Sequence, residues 1–347
     1  MKHPTISTIA QKLGVSKMTV SRVINNRPGV SQPLRASVMQ AIEDLGYLPS
    51  ASARSLALGR SNLIGILVPD VVSEWITPLL LGIGEEADIL GFQVMLRSTG
   101  RGIVSQNDFH ERMFESSLTD GLVVASWRIP TQYVERLAGK GMPIVVVDGY
   151  VRSEKVSWVS STFREGIIEA VRYLAGLRHR KIAFLGGGIN PQFGNAIPYI
   201  ARQQLDGYLG GMKDAGLIPN PEWILHGDYT RESGYQLASQ LLGGEERPTA
   251  IIACNDPMAA GVIQVARAMG MNLPKDLSVV GFDDTLGSSI TPPLTSVFRD
   301  LKETGRCAIR LLADQINHPE QENPPVQMDL PTHLIIREST CQISKAD

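Results

Sequence analysis

The ten residues from Ser16 to Asn25 concentrate side chains able to read a polyanion. Lys17, Met18, Ser21, Arg22 and Asn25 share one stripe of a helical pattern whose other stripe is Val20, Val23 and Ile24. Arg22 can donate two hydrogen bonds to a guanine edge in a major groove, with Lys17 and Met18 at the helix tip. Ser16, Thr19, Ser21, Asn25 and Ser31 are short hydrogen-bonders suited to phosphate oxygens, and Thr5, a cap of the preceding helix, is counted with them. A second set lies far along the chain. Asp148, Asn255 and Asp283 each follow an apolar run, and a carboxylate or amide there can take the hydroxyls of a polyol. Trp75, Trp127 and Tyr229 lie near other run ends and could supply apolar faces for stacking.

The first set needs short helices. Ile6, Ile9, Ala10 and Leu13 recur at helical spacing between a Thr5 cap and a Gly14 stop. A second helix runs from Ser16 through Asn25, and a third starts at Ser31 and Pro33 and stops at Gly46. Two helices across a tight link with a third behind them form a helix-turn-helix. The second set needs strands. Leu63 to Val68, Phe92 to Leu96, Gly121 to Ala125, Ile144 to Val147, Lys181 to Leu185, Ala250 to Ala253 and Leu277 to Gly281 are apolar runs separated by helical patterns. That texture predicts an α/β body of two doubly wound parallel sheets, with a crevice beyond the strand carboxyl ends.

Between head and body, Pro49 to Gly59 favours helix but is too short to hold one alone. Such a segment can fold on contact with DNA and so act as a switch.

At 347 residues the chain exceeds a single ordinary core, and 43% hydrophobic and 20% charged residues are globular values. The net charge of −2 conceals an asymmetry. Residues 1–60 carry eight basic against two acidic residues, a net of +6, leaving −8 for the remainder. A positive head on a negative body suits one end to a polyanion. Cys254, Cys307 and Cys341 form no disulfide framework, and neither a signal peptide nor a ~20-residue apolar span is evident, so a cytoplasmic protein is expected.

The segments Thr8 to Asn26, Val30-Ser31, Leu45-Gly-Tyr-Leu-Pro49 and Ala53-Arg-Ser-Leu56 together resemble the headpiece and hinge of the lactose/galactose repressor (LacI/GalR) family. The resemblance continues through Ser61 to Ile66, Arg178 to Phe184, Leu205-Asp-Gly-Tyr208, Cys254-Asn-Asp256, Leu277 to Asp284 and Pro292 to Ser296. It implies a headpiece over 1–48, a hinge over 49–60 and an effector-binding, dimerising body over 61–347. The body would divide into 61–160 plus 294–323 and 161–291 plus 324–340. It also implies a homodimer on a pseudo-palindromic operator, with Leu56 wedged into the minor groove beside Ala53. Apolar wedges of this kind unstack and kink DNA. The family's effector positions fall on Asp148, Asn255 and Asp283. Where the family carries arginine before Leu-x-Gly-Tyr this chain has Gln204, with Arg202 two residues earlier, a departure that weakens an anionic effector.

These readings predict a transcriptional regulator, a repressor of carbohydrate-utilisation genes, controlled by a neutral sugar effector such as a plant-polysaccharide fragment spanning two tryptophans. Bound sugar would close the two subdomains and uncouple the hinges. No cofactor and no membrane partner are expected. A periplasmic-type sugar-binding protein shares the body, but the basic helix-turn-helix opposes it. An NAD-dependent oxidoreductase is disfavoured because Gly186-Gly-Gly-Ile-Asn-Pro191 has proline where a dinucleotide loop needs its third glycine. There is no P-loop or nucleophile elbow, and His3, His110, His179, His226, His318 and His333 show no metal spacing.

Overall fold

A computed structural model describes residues 4–24, 27–47, 60–99, 118–125, 129, 131–149, 153–188, 198–319 and 324–343. The chain divides into two compact units, Met1–Asn62 and Leu63–Asp347.

The first unit is three helices, α1 (Ile6–Leu13), α2 (Lys17–Ile24) and α3 (Gln32–Leu45). The expected punctuation is present. Thr5 accepts a hydrogen bond from the Thr8 amide and returns one to the Thr8 hydroxyl, while Gly14 and Gly46 close α1 and α3 at φ of 65° and 61°. Glycine takes that left-handed backbone without a Cβ clash. Ser16 caps α2 by accepting from the Thr19 amide at 3.0 Å. Ile9, Val20, Val23, Val38 and Ala41 form the core, and Lys12 pairs with Asp44 to tie α1 to α3.

The second unit holds two six-stranded sheets. In chain order its elements are β1 (Leu63–Val68), α4 (Ile76–Leu90), β2 (Gln93–Ser98), β3 (Gly121–Val124), α5 (Thr131–Ala138), β4 (Ile144–Val147) and β5 (Ser157–Ser161). They continue with α6 (Phe163–Gly176), β6 (Ile182–Gly187), α7 (Tyr199–Asp214), β7 (Ile224–Gly227), α8 (Arg231–Leu242), β8 (Ala250–Ala253) and α9 (Asp256–Ala268). The last are β9 (Ser278–Asp283), β10 (Thr295–Arg299), α10 (Leu301–Asn317), β11 (Gln327–Leu330) and β12 (Thr332–Ile335).

The first sheet runs β11-β5-β4-β3-β1-β2, every pair parallel. The second runs β12-β10-β9-β8-β6-β7, parallel except for antiparallel β12. Central strands are buried along all or nearly all of their length, as sheets covered by helices on both faces require.

Two sequence expectations need correction. The crossover expected at residue 294 falls after Arg299, because Thr295–Arg299 pairs with β9 of the second sheet. The return expected at 324 falls after Leu330, because Gln327–Leu330 pairs with β5 of the first. Helix α10 does belong to the first half, packing Ile309, Leu312 and Ile316 into its core. The chain therefore crosses between halves near residues 162, 300 and 331. The first and third crossovers lie side by side, where Thr332 donates its amide to Thr162 Oγ1 and its hydroxyl to the Thr162 carbonyl, both at 2.9 Å.

Candidate functional sites: a reading helix and a strand-end cavity

On the headpiece, α2 presents the predicted stripe. Lys17, Met18 and Arg22 are exposed, and Met18 retains 65% of its surface. An exposed methionine between two cations on a polar helix has no packing role in its own unit. Thr19 and Ser21 are half-buried, and Ser31 is an exposed N-cap of α3 whose side chain makes no capping bond. Thr5 and Ser16 spend their hydroxyls on caps, so their first task is to hold helix ends. Asn25, Ala53 and Leu56 lie outside the described residues.

In the body, a cavity of about 420 Å³ lies beyond the carboxyl ends of both sheets. Trp75, Asp148, Gln204, Tyr229, Asn255 and Asp283 all line it. Five of these were expected from their places at or near strand ends and Gln204 from the family resemblance, and the six are spread over more than 200 positions. Trp127 lies outside the described residues. Arg202 does not line the cavity and is exposed. It stands two positions before Gln204 on α7, roughly 200° round the helix, so the two cannot face the same way.

The cavity floor is an ionic cluster that the sequence reading missed. Arg299, the last residue of β10, places Nη2 at 2.7 Å from Asp148 Oδ2 and Nε at 3.2 Å from Asp283 Oδ1. The side chains are 3%, 6% and 15% exposed. The guanidinium also lies over the Phe163 ring, 4.7 Å from its centroid. Ser160 donates to Asp148 Oδ1 at 3.1 Å. Asp148 ends a strand of the first sheet and Arg299 a strand of the second, so this pair joins the two halves. The two carboxylates expected to hold hydroxyls thus already share one cation.

Burial raises the Asp283 carboxyl to about 6, with the Arg299 charge opposing that rise and Asp148 and Glu74 adding to it. Burial also pushes the Tyr229 hydroxyl and the Cys254 thiol well up, so both stay protonated at the cavity wall.

Asn255 is likewise more committed than expected. Its Oδ1 accepts the Met258 amide at 3.0 Å as the N-cap of α9, and its Nδ2 donates to the Tyr229 carbonyl at 2.8 Å. Gln204 donates Nε2 to the Cys254 carbonyl at 2.9 Å, while its buried Oε1 has no hydrogen-bond partner among the described residues. Asp148, Tyr229 and Asp283 hold left-handed backbones at φ of 49°, 70° and 87°. Three non-glycine residues in that sparsely populated region thus line one cavity, a clustering of backbone strain common at ligand sites. Asp284, beside Asp283, is instead bound by Arg337.

Among the described lining residues Arg299 is the one cation, against Asp70, Glu74, Asp148, Asp228 and Asp283. Among the described residues no group of histidine, cysteine and carboxylate side chains is arranged to hold a metal, and no helix is long and apolar enough to cross a membrane.

Comparison with known proteins agrees with this architecture. Residues 5–50 match the family described as "Bacterial regulatory proteins, lacI family", and residues 171–340 match "Periplasmic binding protein-like domain". Catabolite control protein A of Priestia megaterium is 32% identical over 97% of this chain and 99% of its own length. The HTH-type transcriptional repressor PurR of Photobacterium profundum is 31% identical over 96% and 98%. Among solved structures, the transcriptional regulator CelR in complex with cellobiose is 31% identical, with a TM-score of 0.71 over 97% of this chain and 99% of that one. The Lac repressor dimer bound to operator and an anti-inducer is 27% identical, with a TM-score of 0.85 over 98% and 100%. With headpiece and body both shared along nearly the whole length, the chain belongs to the LacI family of bacterial regulatory proteins and is a DNA-binding transcriptional regulator, not an enzyme.

Proposed function

We propose that the cavity binds a neutral sugar and that its occupancy weakens operator binding by the headpieces of a cytoplasmic homodimer, making the protein a repressor of carbohydrate-utilisation genes. The observation that carries the reading is the charge of the cavity wall. Among the described lining residues five carboxylates face one arginine that two of them already neutralise, so an anionic ligand would meet repulsion there without a free cation. Hydroxyls meet better partners in the carboxylates, the protonated Tyr229 and the Gln204 oxygen, which has no partner among the described residues. Trp75 supplies an apolar face, and the volume lies in the range of small-molecule sites. A regulator of similar sequence and fold is described in complex with cellobiose, in keeping with a plant-polysaccharide fragment as ligand.

The working parts are assigned as a headpiece over 1–48, a hinge over 49–60 and a two-sheet body beyond. The cavity is walled by both sheets, so a ligand touching both favours their closed arrangement. In a dimer that closure changes how the two hinges meet, and operator affinity falls. Residues 49–59 of the hinge lie outside the described residues, and Ala53 and Leu56 are assigned there to the minor groove.

A thermal-shift screen of neutral mono- and oligosaccharides against sugar phosphates and sugar acids tests the ligand class. A ligand at 100 times its dissociation constant stabilises by about 2.7 kcal/mol, enough to raise the melting temperature visibly. Stabilisation by neutral sugars is expected. Stabilisation by the anionic panel alone would overturn the reading.

A further inference from the structure

Arg35 is one of the eight basic residues behind the +6 of the first sixty, and by charge alone it would count as a phosphate contact. Its guanidinium is used inside the headpiece. From α3 it donates Nη2 to the Arg27 carbonyl at 2.9 Å and Nη1 to the Val23 carbonyl at 3.4 Å. Those acceptors lie at the C-terminal end of α2 and in the link that follows it. The last carbonyls of a helix have no partner within it, and a cation there also meets the negative end of the helix dipole. The geometry uses the planar fork of arginine, which spans two carbonyls four residues apart in a way one ammonium cannot.

We propose that Arg35 is a positioning residue for DNA recognition. It fixes the roll and exit of α2 so that Lys17, Met18 and Arg22 arrive together at base edges, and it does not itself contact phosphate. The α2 core contacts of Val20 and Val23 set which face turns inward. The Arg35 fork clamps the far end, where α2 would otherwise fray into the Arg27–Val30 turn. This inference rests on the headpiece binding DNA and is independent of the effector.

The test uses the full-length protein and two probes, a duplex selected by the wild-type chain from a randomised library and a random-sequence duplex of equal length. Affinities of Arg35→Lys, Arg35→Met, Lys17→Ala and wild type are measured across a salt series, together with amide exchange of the headpiece. Both Arg35 variants are expected to lose at least about tenfold on the selected duplex and little on the random one, with an unchanged salt slope. Amide protection should fall in α2 and its link while α1 stays protected. Lys17→Ala supplies the contrast by weakening the selected duplex while amide protection of α2 and its link stays at the wild-type level.

Three results would overturn the proposal. Arg35→Lys could keep wild-type affinity while Arg35→Met loses it with a slope change of about 0.9 per headpiece, which would make Arg35 a phosphate contact. The ratio of selected to random affinity could be unchanged in both variants. Protection could also fall equally across α1, α2 and α3, which would make Arg35 a general stabiliser. If Lys17→Ala too left DNA binding untouched, the assignment of α2 as the reading helix would fail separately.

Discussion

Arg299→Met removes the cation on which the cavity floor depends while keeping a side chain of similar length. Asp148 and Asp283, at 2.7 and 3.2 Å, lose their shared counter-charge but remain buried. At an effective dielectric near 20, a unit pair about 3 Å apart attracts by roughly 5–6 kcal/mol, most of it offset by the desolvation of both charges. The measurable effect is the penalty of leaving carboxylates uncompensated, about 3–5 kcal/mol for a broken buried pair. Loss of the guanidinium from the Phe163 ring adds to it. The penalty depends on pH because Asp283 titrates near 6. At pH 8 its charge requires Arg299, whereas at pH 5 it is largely protonated, and the loss should shrink by roughly 1–3 kcal/mol. All four tryptophans, Trp75, Trp127, Trp158 and Trp223, lie in the body, so fluorescence during urea unfolding reports that unit. Adding Asp283→Asn to Arg299→Met should recover part of the loss at pH 8. A loss below about 1 kcal/mol at both pH values would refute the assignment of this cluster as the electrostatic keystone between the halves.

Other outcomes follow from the same geometry. Arg22→Ala should cost about 1–3 kcal/mol at one base pair of each half-site and relax preference there, read by binding to single-base variants of a selected duplex; uniform weakening would mark a phosphate contact. Asp256, fully buried and accepting from Ser296 Oγ at 2.6 Å and the Leu286 amide at 2.8 Å, is pushed up to about 7 by burial. Its folded value lies above the unfolded one, so its contribution to stability is complete below about pH 4 and is lost as pH rises through about 7, by at most about 1.4 kcal/mol per pH unit. Asp256→Asn should flatten the melting temperature between pH 5 and 8, and an unchanged profile would remove Asp256 as the source.

Elements whose local chemistry and burial agree were legible in the sequence. Thr5, Gly14 and Gly46 carry end signals for α1 and α3, and Ile144 to Val147 and Ala250 to Ala253 are apolar because both faces of their sheets are covered. Asking which side chains end such strands points to one cavity, and Asp148 and Asp283 both line it. Other features depend on tertiary partners. β5 is fully buried yet carries Ser157, Ser160 and Ser161, and its polarity is absorbed in part by bonds from Gln315 and to Asp148 that no periodicity reveals. β10 hides for the same reason, since Thr295 and Ser296 are buried on bonds to Ser339, Thr340 and Asp256. Arg299 was missed with it, although buried carboxylates at two strand ends demand a counter-charge and were the available clue. Arg202 was a false lead because the resemblance marked a sequence position and the helix turned it outward. Asn255 lines the cavity but has less freedom than expected, since a residue that both ends a strand and begins a helix is claimed first as a cap.

In the proposed mechanism the strand-end cavity and the headpiece are energetically linked. Titrating the full-length protein with a neutral sugar identified by thermal shift, once alone and once saturated with its selected operator duplex, measures that linkage directly. Coupling is reciprocal, so a sugar that lowers operator affinity by a given factor must itself bind more weakly to the operator complex by the same factor, commonly 5- to 150-fold. Sugar binding is expected to be weaker in the presence of operator, by the factor seen in the reverse titration. Equal sugar affinity with and without DNA would contradict it.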